Sequence, residues 1–155
     1  MREAIDELAA RRPVAELEIE FSAADVEAFE ADGFVVLPRI TTDEEVAWLR
    51  DLYDALFAQR LELFEGGVWD LVKPYGWDGE DRLPQIVHPE RECPVLRETL
   101  FFRNGRRLAA QLMRLDPDLI DAWGHMIRKP AKVGEPLPWH QDEAYWDPAM
   151  IYRAL

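Results

Sequence analysis

Apolar residues recur at helical spacing in the N-terminal part of the chain. The stretch REAIDELAARR has apolar residues three positions apart and is followed by Pro13, so it predicts a short amphipathic helix. Ser22 is a typical N-cap for a second helix over residues 23–31, and Gly33 follows at the position where helices commonly end. The next stretch, GFVVLP, is continuously apolar between Gly33 and Pro38, which predicts a short strand.

The strongest pattern begins at Thr42 and predicts a long helix that continues to Phe64. Glu45 follows Thr42 at the spacing of a capping box, and Gly66-Gly67 would end the helix. Its apolar positions lie on one face, with acids and arginines between them: Val46, Leu49, Leu52, Tyr53, Leu56, Leu63 and Phe64.

Proline and glycine dominate the middle of the chain, so residues 68–94 are predicted to form a long loop. A loop of that length is usually functional, and its aromatic residues could close over a site or simply cover the core: Trp69, Tyr75 and Trp77. Two further helices are predicted on either side of Asn104-Gly105. The stretch DAWGHMIRK alternates in part and predicts a strand before the loop KPAKVGEPLP.

Composition narrows the class of protein. The chain has 155 residues, 48% hydrophobic and 32% charged, which suits one packed domain. Its net charge of −13 disfavours nucleic acid and anionic membranes as partners. Cys93 is the only cysteine, the N-terminus lacks the apolar core of a secretory signal, and no apolar run is long enough to span a membrane. The sequence therefore predicts a soluble, cytoplasmic protein with no nucleic acid or membrane partner.

One pair of residues has the chemistry of a metal site. His140 and Asp142 are two positions apart, so on a strand both side chains would point to the same face. An imidazole and a carboxylate are two members of the 2-His-1-carboxylate triad that holds Fe(II). His88-Pro89-Glu90 is a second histidine with an acid two positions later. We interpret it as a surface loop, because Pro89 cannot donate a hydrogen bond to a sheet and Glu90 resembles a first-turn acid of a helix.

Three stretches together resemble the phytanoyl-CoA dioxygenase family of Fe(II)- and 2-oxoglutarate-dependent oxygenases. They are DGFVVLP, IRKP and WHQDEAYW, and the resemblance covers residues from about 25 to the end. It implies an α+β protein in which N-terminal helices, over about 1–116, precede the first strands of a jelly roll, over about 117–155. It also implies Fe(II) as cofactor, 2-oxoglutarate as cosubstrate and a small-molecule substrate.

The resemblance assigns residues to each part of such a site. It implies metal ligands at His140 and Asp142, a cosubstrate pocket near His125 and Gln141, and substrate contacts at Tyr145 and Trp146. Where some family members have a lysine that helps to bind the cosubstrate, this chain has Gln85.

The family's distal histidine and its 2-oxoglutarate-binding arginine are not matched in this chain. We therefore interpret the sequence as the N-terminal portion of a longer oxygenase, expected to have little or no activity by itself. One alternative is that His125 completes a triad with His140 and Asp142. Another is that the chain is a non-catalytic α+β binding module in which HQD arose by chance, and the oligomeric state stays open.

Overall fold

The computed structural model describes residues 2–60, 68–70, 83–131 and 139–151. Helices dominate these residues, and a small sheet lies in the middle of the chain. The elements are α1 (Arg2–Ala10), α2 (Ala23–Asp32), α3 (Asp43–Ala58), β1 (Val68–Asp70), β2 (Pro84–Val87), α4 (Pro89–Glu92), α5 (Leu100–Met113) and β3 (His125–Ile127). Three 3₁₀ turns connect or follow them: Pro94–Glu98, Pro117–Leu119 and Asp142–Tyr145.

The first helices begin and end where the sequence predicts. The Ser22 side chain accepts from the backbone N–H of Asp25, and the Asp25 carboxylate accepts from the Ser22 N–H, so the capping box of α2 is complete. Gly33 follows α2 with a φ of 81°, a left-handed conformation that favours glycine.

The α3 capping box is only half formed. Thr42 caps the helix by accepting from the Glu45 N–H at 3.2 Å, as predicted. The Glu45 carboxylate does not return to Thr42. It accepts instead from the backbone N–H groups of Leu100 and Phe101 at the start of α5. The helix predicted to continue to Phe64 ends at Ala58, because Gln59 leaves the helical conformation and caps α3. Residues 61–67, with the predicted Gly66-Gly67 end, lie outside the described residues.

Several sequence predictions of secondary structure are wrong in the described region. Residues 68–94, predicted to form a long loop, contain β1, β2 and α4, because β1 and β2 pair with each other and β2 pairs with β3. The two helices predicted around Asn104-Gly105 are a 3₁₀ turn followed by one continuous helix, α5, because the Asn104 amide is used in tertiary hydrogen bonds and does not break the helix. The stretch GFVVLP is irregular, not a strand. A strand needs a hydrogen-bonded neighbour, and no described strand lies beside this segment.

The sheet is antiparallel, with strand order β1-β2-β3. In its register Gln85 lies opposite Ile127, and Val87 lies opposite His125. Ile86 of β2 is fully buried and belongs to the main core, together with residues of α1 and α3 and with Cys93 after α4. The core residues are Ile5, Trp48, Leu52, Leu56, Phe57, Ile86 and Cys93. The sheet therefore presents one face to the helices, while Gln85 and His125 lie on the other face.

The described residues thus confirm helices combined with a few strands. The jelly roll stays a prediction, and so does the boundary near residue 117, although β1 and β2 occur before it. None of the described helices is long and apolar enough to cross a membrane.

An extended segment between α1 and α2 lies along α5. From Pro13 to Phe21 its residues are alternately half-buried and exposed, as on a strand. Side chains of α5 take the place of a partner strand. Asn104 donates to the Leu17 carbonyl at 2.9 Å, and Gln111 exchanges two hydrogen bonds with the Phe21 backbone at 2.8 and 2.7 Å.

Candidate metal and cosubstrate site

Gln85 and His125 meet on the sheet face opposite the core. The Gln85 side-chain oxygen lies 2.6 Å from Nε2 of His125. An amide oxygen only accepts, so His125 donates from Nε2. The hydrogen bond occupies the oxygen end of the Gln85 amide and leaves the NH₂ end as a donor group. Gln85 is buried, so this amide has a fixed orientation.

The surroundings of His125 lower the pKa of its imidazole and so favour the neutral ring. Its partial burial lowers the pKa of the imidazole, the negative charge of Asp142 raises that pKa, and His88 lowers it further. The effects of Asp142 and His88 are electrostatic and require those groups to lie near His125. His125 is therefore electrostatically connected both to the HQD stretch and to His88.

His88 and Glu90 lie beside this pair and not on a remote surface loop. The Glu90 side chain is almost completely buried, and its Oε1 is 3.3 Å from Nδ1 of His88. Its Oε2 accepts from the Gly124 N–H at 3.0 Å. The interpretation of His88-Pro89-Glu90 as a surface loop is wrong, because the short helix α4 turns Glu90 inward against the segment that enters β3.

Trp123 lies between two imidazoles. Its ring centroid is 4.9 Å from that of His88 and 6.0 Å from that of His125. Both distances are within the range of aromatic contact. We call these three residues the imidazole surface; half of Trp123 stays exposed to solvent.

His140 and Asp142 converge. Nε2 of His140 lies 3.2 Å from Oδ1 of Asp142, and both side chains are accessible from solvent. The backbone that brings them together is not the predicted strand. Residues 139–141 are irregular and Asp142–Tyr145 is a 3₁₀ turn, in which the Ala144 N–H donates to the Gln141 carbonyl at 3.0 Å. This local hydrogen bond satisfies the backbone without a neighbouring strand.

The pair fits two adjacent positions of an octahedral metal ion. Ligands about 2.1 Å from a metal and at right angles to each other are about 3 Å apart, close to the observed separation. Among the described residues there is no group of three His, Cys, Asp or Glu side chains that could hold a metal ion. The alternative in which His125 completes a triad is therefore not formed, and this part of the chain offers two of the three expected ligands.

The other predicted site residues are less defined. Gln141 is exposed next to the pair, and Trp146 is half-buried. The side chain of Tyr145 lies outside the described residues, as do Tyr75, Trp77 and the side chain of Trp69, so a closing role for them stays a prediction.

Cys93 belongs to the core. Its burial, together with the nearby charge of Asp6, raises the pKa of the thiol to about 11, and Arg2 opposes this effect. A buried neutral thiol is a poor nucleophile, in agreement with the structural role expected from the sequence.

Sequence reasoning missed Glu90 and rejected His88. The available signal was their position directly after the apolar stretch PQIV, since side chains at the end of a strand commonly surround a site. Helical periodicity could not show that the segment entering β3 packs against α4 and buries Glu90.

Comparison with known proteins gives one solved relative in two structures. No family model matches the chain, and no curated protein matches it. EvdO2 from Micromonospora carbonacea var. aurantiaca is 34% identical; its complex with 2-oxoglutarate superposes with a TM-score of 0.65 over 86% of this chain. A second EvdO2 structure gives a TM-score of 0.64 at the same identity and coverage. The chain spans 54% of the length of EvdO2.

This similarity supports the broader class predicted from the sequence, the Fe(II)- and 2-oxoglutarate-dependent oxygenase superfamily. The narrower assignment to the phytanoyl-CoA dioxygenase family stays a prediction.

Proposed function

We propose that this chain forms the helical part and the first strands of the jelly roll of an Fe(II)- and 2-oxoglutarate-dependent dioxygenase of the phytanoyl-CoA dioxygenase family. The observation that carries the proposal is the convergence of His140 and Asp142 at 3.2 Å, in a chain that is 34% identical to a protein solved with 2-oxoglutarate. We place the protein in the cytoplasm, with a small-molecule substrate.

In this proposal each group of side chains has a distinct role. Nε2 of His140 and Oδ1 of Asp142 hold Fe(II), and the remaining ligand comes from outside the described residues. Bound iron would supply oxygen activation coupled to the oxidative decarboxylation of 2-oxoglutarate. The proposal assigns His125 and Gln141 to binding of the cosubstrate, and Tyr145 and Trp146 to contact with the substrate.

The Gln85–His125 pair is suited to a carboxylate ligand. The one N–H of the neutral His125 ring already donates to the Gln85 oxygen, so the donors that the pair can offer a carboxylate are the two N–H groups on the Gln85 nitrogen. Hydrogen bonds from such donors to a carboxylate are stronger than those between neutral groups. Gln85 can therefore take the position of the lysine found in some family members, with donors in place of a charge.

Metal binding tests the proposal directly. We expect one Mn(II) or Fe(II) per chain, measured by electron paramagnetic resonance or calorimetry without oxygen. His140→Ala and Asp142→Ala should each weaken binding by at least about tenfold, since each removes one ligand. Asp51→Ala removes an exposed acid of α3 and should bind metal like the unmodified chain.

The opposite result would favour the alternative function. If the unmodified chain binds no metal, or if His140→Ala binds it unchanged, then HQD is a chance match. The chain would in that case be a non-catalytic binding module.

A further inference from the structure

Glu90 is a buried acid at the centre of the contacts behind the imidazole surface. It is 2% exposed. Its Oε2 accepts from Gly124 N at 3.0 Å, and its Oε1 lies 3.3 Å from His88 Nδ1 and 3.7 Å from the Arg97 guanidinium. Burying a carboxylate is unfavourable unless it is paired and hydrogen-bonded, so these contacts fix its position.

The contact with His88 determines which nitrogen of that ring carries the proton. A carboxylate only accepts, so Nδ1 of His88 must be the donor in the neutral ring, and Nε2 is the acceptor. His88 itself has a φ of 56°, in the left-handed region that non-glycine residues rarely adopt. Its ring orientation is therefore defined by the Glu90 contact together with the backbone hydrogen bond from His88 N to the Gly124 carbonyl at 2.9 Å.

The contact with Gly124 determines the path of the chain into β3. A Cβ atom at this glycine would lie 3.0 Å from Cγ of Pro89 and 3.1 Å from Oε2 of Glu90. The backbone therefore approaches α4 as closely as glycine allows. Gly124 separates Trp123 from His125, so the same carboxylate sets the position of both rings.

We propose that Glu90 is a positioning residue for the 2-oxoglutarate side of the site. It fixes the His88 tautomer and holds the Trp123–His125 segment, so that His125 and its partner Gln85 are oriented for the cosubstrate. This inference rests on the proposed function, from which the identity of the ligand, 2-oxoglutarate, is taken. The contacts that carry it are independent of metal and cosubstrate.

Glu90→Gln separates positioning from folding. A glutamine side chain can keep an oxygen on Gly124 N, but its NH₂ group then faces His88 Nδ1 and donates to it. We expect the His88 proton to move from Nδ1 to Nε2, which imidazole ¹⁵N resonances report directly, and the His125 resonances to shift. Glu92→Gln, on the same short helix but paired with Arg2, is the matched control and should leave both rings unchanged.

Ligand binding provides the second measurement. With Mn(II) present, Glu90→Gln should weaken 2-oxoglutarate binding by about tenfold. This is the change in affinity that corresponds to the free energy of one ordinary hydrogen bond. Mn(II) affinity should stay within about twofold of the unmodified chain, because Glu90 contacts neither His140 nor Asp142; a factor of two is within the usual variation of a distant substitution. A merely structural role would instead weaken both ligands together.

The outcomes are distinguishable. Unchanged ¹⁵N resonances in Glu90→Gln, or unchanged 2-oxoglutarate affinity where the unmodified chain binds it, would overturn the role of Glu90. Parallel loss of Mn(II) and 2-oxoglutarate binding would overturn it as well. If the unmodified chain binds no 2-oxoglutarate, the imidazole resonances alone decide whether Glu90 positions the two rings, and the metal-binding experiment decides the proposed function.

Discussion

Glu45 connects two helices through one carboxylate. It lies in the first turn of α3 and is 1% exposed. Its two oxygens accept from Leu100 N at 2.8 Å and from Phe101 N at 2.9 Å, and Thr41 donates its hydroxyl to the same group. The first N–H groups of a helix have no partner within it and carry a partial positive charge. The buried carboxylate therefore caps α5 from a distant part of the chain.

Replacing Glu45 should destabilise the protein strongly. We expect Glu45→Ala to lower the free energy of unfolding by about 3 kcal/mol, because the N–H groups of Leu100, which is buried, and of Phe101 lose a charged acceptor. Glu45→Gln keeps one acceptor oxygen and should cost about half as much. Urea denaturation followed by circular dichroism measures both changes. Glu44→Ala is the control, since Glu44 is exposed in the same turn; an equal loss there would contradict the capping role.

For single residues, the sequence predicts which side chains are capping candidates but not which groups they contact. The spacing from Thr42 identifies Glu45 as a capping residue, yet its oxygens bind N–H groups 55 and 56 positions away. Glu90 likewise resembles a first-turn acid, and its burial follows from the approach of Gly124. Local spacing contains no information about such tertiary contacts.

Among the elements, α5 organises the N-terminal part of the chain. Its Asn104 amide is 2% exposed and donates to the carbonyls of Leu17 and Ile40, at 2.9 and 2.8 Å. Arg107 forms ion pairs with Glu18 and Glu20 on the extended segment. These exposed ion pairs contribute little, so the side-chain amides of Asn104 and Gln111 are the main polar attachment.

Removing the Asn104 amide should release the extended segment. Asn104→Ala leaves two carbonyls without their donor, which should cost about 2 kcal/mol. The segment carries glutamates at alternate positions, so a glutamate-specific protease should cleave after residues 16, 18 and 20 faster than in the unmodified chain. Arg103→Ala, at an exposed position of α5, is the control. Equal cleavage rates in the two variants would show that Asn104 does not hold the segment.

Helices were more predictable than extended elements for a physical reason. A helix satisfies its own backbone, so Ser22, Gly33 and Thr42 mark its ends locally. An extended segment depends on partners elsewhere. GFVVLP has no described neighbouring strand, WHQD forms a turn, and residues 13–21 use side chains of α5.

For the whole molecule, the candidate site was more predictable than the secondary structure around it. His140 and Asp142 come together although they are not on a strand, because residues two positions apart can converge from several backbone conformations. The His88–Glu90 contribution was not foreseen, since it requires α4, β2 and β3 to be assembled first. Net charge, in contrast, is fixed by sequence alone.

That charge should make the two proposed ligands respond to salt in opposite directions. 2-Oxoglutarate is a dianion at neutral pH, and a chain with a net charge of −13 repels it at long range. Raising the ionic strength shortens the Debye length from about 30 Å at 0.01 M to about 10 Å at 0.1 M, so this repulsion weakens.

We therefore expect the association rate of 2-oxoglutarate, measured by stopped-flow tryptophan fluorescence with Mn(II) bound, to rise several-fold between these two salt concentrations. The association of Mn(II) itself should slow over the same series, because its attraction to the acidic chain is screened equally. This opposite response is the internal control, since a general effect of salt on the fold would move both rates together. A 2-oxoglutarate rate that falls with salt would instead indicate a local cationic path to the site that outweighs the charge of the whole molecule.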